Sequence, residues 1–541
     1  MLTKVEKIMV FILLACFSIT GYSQKEDQEI TLKDVFKKRT FSSKGVYGMQ
    51  PLKDGLHFSQ VKHDSLNVYD YRTGDYVRTI VTSPDLIPKG DTTPVPISSY
   101  TLSKDESRIM FSSDRESIYR HSSKSHYYIY DIATKILVPL SDGEKQQLAT
   151  FSPDGNKVAF VRDNNIFIRD LESGIWDQGT IGGQGDDTNR DPVFTSEMQI
   201  TSDGLFNEII NGATDWVYEE EFGFTKAFFW SPDSKKVAYY RFDEKRVKEY
   251  KLEYYGDVYP EIYTYKYPKA GEDNSLIGIR IYNMESGETV PVNIGTETDI
   301  YIPRIKWTTN PNTLALYRMN RHQNILELLL VDANTGSSNV ILTENNPWYI
   351  DITDDWTFLK DGKSVLLTSE KDGYNHLYLY NLNGMLIRQL TSGPWDVIAL
   401  YGVDEERGLV YFQSGEFSPL NREVNVVGID GKGRKTLTGK EGYNRAQFNS
   451  DYTYYINNWS DANTPPFITV NKSNGKEVRI LETNEKLKEK MKEYDFSQVN
   501  FFTFKTDDNM ELNGWMLKPP DFDPEKKYPV LFTIYGGPGS Q

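Results

Sequence analysis

Phe228-Phe229-Trp230-Ser231-Pro232-Asp233, running into Lys236-Val237-Ala238-Tyr239, carries the pattern from which the fold is read. An apolar pair enters a turn built from Ser, Pro and Asp, and an apolar strand leaves it. Such residues bend the chain because their side chains bond to nearby backbone and proline fixes φ. Ala149-Thr150-Phe151-Ser152-Pro153-Asp154-Gly155 into Lys157-Val158-Ala159-Phe160 repeats the pattern, as does Thr357-Phe358-Leu359-Lys360-Asp361-Gly362 into Ser364-Val365-Leu366-Leu367. Each reads as two short strands joined by a tight turn. Weaker copies turn at Asp54, Asp105, Asn312, Glu405 and Asp451. The eight turns are separated by 51, 49, 79, 79, 49, 44 and 46 residues. A four-stranded propeller blade takes ~40–50 residues, so the spacing predicts a mainly β chain with an eight-bladed β-propeller. Second hairpins that complete a blade are visible at Asn165-Ile166-Phe167-Ile168-Arg169-Asp170 and at His376-Leu377-Tyr378-Leu379-Tyr380-Asn381.

Two of the spacings exceed a blade by ~30 residues, and insertions in a repeat scaffold are where function concentrates. The first surplus lies between Asp154 and Asp233; the second holds the Tyr- and Pro-rich residues 254–271. Past the last repeat, residues 485–492 (EKLKEKMK) form a polar helical stretch, and residues 501–518 read as a hairpin around Asp507-Asp508-Asn509. Tyr528-Pro529-Val530-Leu531-Phe532-Thr533-Ile534-Tyr535 is nearly all apolar. Such a run suits a strand covered on both faces, as in parallel sheets flanked by helices. The expected organisation is therefore a leader at 1–23, a propeller at 24–490, and at 491–541 the incomplete start of an α/β domain.

The leader expectation rests on Lys4 and Lys7, the apolar stretch 8–16 and Gly21-Tyr22-Ser23 before Gln24. The apolar stretch is too short to cross a bilayer and has the layout of a secretory signal peptide. Export to a periplasm or cell surface is expected, with lipidation at Cys16 as a minor alternative. Cys16 is the only cysteine, so the mature chain would have neither disulfides nor thiolate chemistry. The net charge of −16 lacks the basic footprint of a nucleic-acid binder. The six histidines are scattered without zinc-ligand spacing, and no metal or cofactor is expected.

Inside the first surplus, Asp215-Trp216-Val217-Tyr218-Glu219-Glu220-Glu221-Phe222 resembles the double-glutamate motif of the dipeptidyl peptidase IV family of serine peptidases, in the prolyl oligopeptidase clan. Trp230-Ser231-Pro232, Tyr267-Pro268-Lys269-Ala270-Gly271, and Tyr528-Pro529 with Tyr535-Gly536-Gly537-Pro538-Gly539-Ser540-Gln541 fit the same family. The resemblance implies an eight-bladed propeller before an α/β-hydrolase domain. It implies release of N-terminal dipeptides, often Xaa-Pro or Xaa-Ala, from peptides with a free N-terminus. It assigns Glu220 and Glu221 to the substrate ammonium, Arg120 (in Tyr119-Arg120-His121-Ser122) to a substrate carbonyl, and Tyr535 to the oxyanion hole. It also implies a possible homodimer through the hydrolase domain. Two departures stand out. No Gly-x-Ser-x-Gly elbow occurs and no His follows His376, so the Ser/Asp/His triad is absent and the chain by itself is expected to be inactive. The stretch 347–356, where some family members carry a further pocket arginine, has none.

The assigned chemistry is physically coherent. An α-amino group has a pKa of ~7.7–8 and is mostly cationic at neutral pH. A fixed pair of carboxylates gives an enzyme a stop from which to count residues, and a blocked N-terminus would leave both anions unpaired. Two other readings remain open on sequence: a prolyl tripeptidyl peptidase of the same family, and a non-catalytic peptide- or protein-binding propeller, since fold alone does not fix function.

Overall fold

The computed structural model describes residues 28–171 and 197–535, so the expected leader with Cys16 and residues 536–541 lie outside the described residues. One compact unit comprises residues 46–459 and 469–481. Its strands build eight four- or five-stranded sheets, one per repeat, as the spacing predicts. Seven are simple meanders in which four successive strands lie side by side, from Gln50–Pro51, His57–Lys62, Ser65–Asp70 and Tyr76–Thr82 in blade 1 to the sheet that begins with Tyr443–Phe448 in blade 8.

Each of the eight turn residues found in sequence lies between the first two strands of one blade. The chemistry is local and repeated. Ser231 Oγ donates to Asp233 Oδ1 at 2.6 Å, and Asp233 Oδ1 also accepts from Lys235 N–H at 3.2 Å. Ser231 Oγ accepts the Lys236 N–H at 2.8 Å. Ser103 with Asp105 and Ser152 with Asp154 make the same bonds.

These turns also bond to one another around the ring. Lys53 N–H donates to Glu106, Arg108 to Gly155 O, Asp154 N–H to Ser234, and Lys236 to Asn312. Thr309 then donates to Leu359 O, Lys360 N–H to Glu405, Arg407 to Asp451 O, and Asn449 to Gly55 O. The last of these joins blade 8 back to blade 1, so the circuit closes on eight. Between blades lie apolar seams. Leu66, Val81, Ile109 and Phe111 fill the one between blades 1 and 2. Ala315, Tyr317, Val365 and Tyr378 fill that between blades 5 and 6. Stacking of Tyr71 on Tyr454 at 6.1 Å joins blade 8 to blade 1. A blade has two apolar faces because each is covered by a neighbour, which only a closed ring supplies to all of them.

Blade 4 departs from the meander. Its first-strand position is occupied by two short strands, Ile209–Asn211 and Phe228–Trp230, both paired with Lys236–Asp243. The residues between them leave the sheet and carry the glutamate motif. The same blade bears an extra two-stranded hairpin, Glu249–Tyr254 with Glu261–Lys266. The second surplus and the described part of the first thus resolve into insertions of blade 4. Part of the first, residues 172–196, lies outside the described residues.

The other unit comprises, among the described residues, 28–45, 460–468 and 482–535. The expected polar helix is present as Glu485–Met491, and the expected hairpin as Val499–Lys505 paired with Glu511–Leu517. The expected strand at 528–535 is not formed. That segment is irregular and its apolar side chains are exposed, Ile534 and Tyr535 among them. A strand needs a hydrogen-bonding neighbour and an apolar cover, and none of the described residues supplies either.

Candidate functional site

The motif becomes a single helical turn, Trp216–Glu220, because Asp215 caps it. Asp215 Oδ1 accepts the Tyr218 N–H at 2.9 Å, and Oδ2 accepts the Ser275 hydroxyl at 2.6 Å. Capping of this kind supplies an otherwise orphaned N-terminal donor. Burial pushes the Asp215 carboxyl above its ordinary value, against the bonds from Ser275 and the backbone. Tyr218 ties the turn to blade 5: its hydroxyl accepts the Ile302 N–H at 2.8 Å. Its ring sits among Phe222, Phe224, Tyr240, Phe242 and Tyr301. Trp216 packs on Tyr267 with ring centres 4.2 Å apart, which places the Tyr267-Pro268-Lys269 stretch beside the motif.

The three glutamates then diverge. Glu219 is 1% exposed, and its Oε1 accepts two backbone N–H groups, from His121 at 2.8 Å and Ser122 at 2.9 Å. Glu220 is half-buried and faces Arg120, with Nη1 3.3 Å from Oε2. Glu221 is exposed. The structure brings together Arg120 and Glu220, with Glu221 at the end of the same turn. The sequence reading left Glu219 without a role; it holds the turn that carries Arg120.

Arg120 reaches blade 4 because its hairpin is long. Its strands, Arg108–Ser117 and Ser123–Asp131, have ten and nine residues, against six and six in blade 3. A register shift between Ser113 and Glu116 bends the hairpin, as bulges do near sites. The extra hairpin of blade 4 touches the same turn, with Tyr119 packed on Tyr265 at 5.7 Å. Burial, joined by the Tyr263 hydroxyl and the Glu244 charge, pushes the Tyr119 phenol well above its ordinary value. Glu244 is itself buried. Burial, then the Asp215 charge, push its carboxyl up to about 8, against a smaller pull from Lys266.

The arginine-free stretch after blade 5 carries aromatics. Trp348 and Tyr349 are exposed, and the Tyr349 phenol is raised by burial and then by the charges of Asp351 and Glu221. Tyr349 thus lies within electrostatic reach of Glu221, a neighbour not foreseen from sequence. Tyr535 belongs to the other compact unit and is 80% exposed. Among the described residues no group of His, Cys, Asp and Glu is arranged to hold a metal.

Fold and site together define an eight-bladed propeller that presents an acidic pair and a guanidinium from blades 4 and 2. The family model for the dipeptidyl peptidase IV N-terminal region matches residues 103–466. A probable dipeptidyl peptidase 4 from Arthroderma benhamiae is 31% identical over 533 residues, covering 95% of this chain and 64% of that protein. A probable dipeptidyl-aminopeptidase B from Talaromyces marneffei is 31% identical over 477 residues, covering 81% of this chain and 50% of its own. The crystal structure of Porphyromonas gingivalis dipeptidyl peptidase 4 superposes with a TM-score of 0.84 at 38% identity, covering 93% of this chain and 69% of that one. The chain belongs to the dipeptidyl peptidase IV family. It spans just under two thirds of the length of the Arthroderma relative.

Proposed function

We propose that this chain is the substrate-recognition part of an exported serine-type dipeptidyl aminopeptidase that releases N-terminal dipeptides, of Xaa-Pro or Xaa-Ala type, from peptides with a free amino end. The observation that carries the reading is the Arg120–Glu220 ion pair at 3.3 Å. It joins an elongated hairpin of blade 2 to an insertion of blade 4 that interrupts a regular ring. Two neighbouring carboxylates repel each other, and an arriving ammonium relieves that repulsion while donating to both. The Arg120 guanidinium has five N–H donors in a planar fork, more than one carboxylate can take, so donors remain for a substrate carbonyl. In this reading Tyr535 donates to the developing oxyanion once the hydrolase fold orders it. Membership of the family and the fungal relatives support the reading, as do the leader residues ahead of Gln24 for export.

The test is proteolysis by the complete gene product. Peptides of Xaa-Pro-Xaa type with free and acetylated N-termini are incubated, and the products are weighed by mass spectrometry. Dipeptide release from the free peptides alone is the expected result. Release of tripeptides, or equal cleavage of acetylated peptides, contradicts it.

A further inference from the structure

We propose that Glu219 is a positioning residue: it does not meet the substrate but fixes the turn 118–122 so that the Arg120 guanidinium stands against Glu220 and the incoming peptide. The proposal rests on the reading of Arg120 as a donor to peptide.

Arg120 cannot hold its own place. Its side chain is 72% exposed and its ion pair with Glu220 spans 3.3 Å, and exposed pairs of this kind contribute ~0–1 kcal/mol. The turn therefore needs another restraint, and it has one from below. Glu219 Oε1 receives two backbone donors from that turn, 97 and 98 residues away in sequence. A carboxylate accepting backbone N–H groups makes charge-assisted bonds, about twice as strong as neutral ones. The turn is also tied internally by Tyr119 N–H donating to Ser122 Oγ at 3.1 Å, and Ile118 N–H to Ser122 O at 3.0 Å. Tyr119 rests on Tyr265 of the inserted hairpin. The side chains that hold the turn from outside, Glu219, Tyr263 and Tyr265, thus all come from blade 4, the blade that carries the acidic pair. Adjacent residues of one helical turn take different tasks: Glu219 points into the protein and grips the neighbouring turn, while Glu220 meets the guanidinium. A buried acceptor with two donors is also intolerant of change in length, since withdrawing it leaves both N–H groups unpaired.

Hydrogen exchange tests this in the wild-type chain first. The His121 and Ser122 amides belong to a turn whose His121 and Arg120 side chains are exposed, yet both are expected to exchange slowly. Two variants then separate reach from charge. Glu219→Gln keeps the acceptor oxygen at the same distance and gives up only the charge assistance, so it should retain part of the protection and raise KM for free-amino peptides less than Glu219→Asp does. Glu219→Asp keeps the charge but falls one methylene short. It should speed exchange of both amides at least tenfold and raise KM at least tenfold with kcat little changed. Arg120→Ala, run alongside in the complete gene product, separates the two levels of the argument. If Arg120→Ala raises KM but Glu219→Asp leaves exchange and KM unchanged, the clamp is wrong and the peptide site stands. If Arg120→Ala leaves KM unchanged, the reading of the site is wrong and the clamp has no role in recognition. Fast exchange of both amides in the wild type overturns the proposal without any variant, whether or not Glu219→Asp folds.

Discussion

Replacing Tyr218 by Phe removes one oxygen atom, and the structure says what that atom supports. The Tyr218 hydroxyl accepts the Ile302 N–H at 2.8 Å, and both residues are buried. The aromatic cluster around the ring is kept, so no cavity opens. What remains is a buried donor with no acceptor, which costs ~1–3 kcal/mol. We expect a loss of about 2 kcal/mol in propeller stability, seen as a lower urea midpoint at unchanged slope. The same energy, if exchange proceeds through local opening, speeds Ile302 amide exchange about 30-fold. Because Tyr218 precedes the three glutamates, affinity for free-amino peptides should fall as well. A loss below ~0.5 kcal/mol, of the size expected for an inconsequential surface change, together with unaltered Ile302 exchange, would refute the claim that this bond fixes the motif to blade 5.

Other consequences are as definite. Glu244 sits at about 8 against an ordinary 4.5, facing Asp215, Asp243 and Lys266 with Tyr119 and Tyr263 nearby. The folded protein therefore holds a proton that the unfolded chain has released, so stability falls as pH rises between those two values and the penalty is complete above the higher. In Glu244→Gln that fall should disappear from a series of thermal midpoints, leaving the variant the more stable above pH ~8; parallel profiles would count against the burial argument. Gly384 has φ +82° and an added Cβ would lie 2.0 Å from Ile341 O, whereas Gly433, at φ +65°, has open space around it. Gly433→Ala should cost ~1–2 kcal/mol, the left-handed strain alone, and Gly384→Ala clearly more, by urea unfolding; equal costs would mean that blade 6 does not press on blade 5 at this turn. Arg120→Ala should change stability by less than ~1 kcal/mol, as for an exposed pair, while weakening peptide recognition; a large thermal shift would make Arg120 a structural residue.

The ring was legible because each turn is written in local chemistry. Ser231 and Asp233 close their turn with bonds that span at most five residues, and the spacing of such turns counts the blades. Even the degenerate copies at Glu405 and Asp451 fall at first-hairpin turns, since their carboxylates reach adjacent blades or their own turn. The glutamate motif was legible as a motif, but the division of labour inside it was not. Glu219 is distinguished from Glu220 only by what lies beneath the helical turn, a contact with residues 97 and 98 positions earlier. The influence of the Glu221 charge on the Tyr349 phenol is equally non-local, since the two lie 128 positions apart in sequence. The run at 528–535 forms no strand among the described residues, because apolar composition shows what a segment would bury, not whether anything covers it.

The central claim is that adjacent carboxylates receive a substrate ammonium. The most direct measurement is kcat/KM of the complete gene product for a free-amino Xaa-Pro substrate, wild type against Glu220→Gln with Glu221→Gln. Hydrogen bonds to a charged group contribute ~1.5–3 kcal/mol each, so removing both anions should lower kcat/KM at least about a hundredfold, with the fold intact by thermal midpoint. A double variant that cleaves free-amino peptides as fast as wild type would contradict the account.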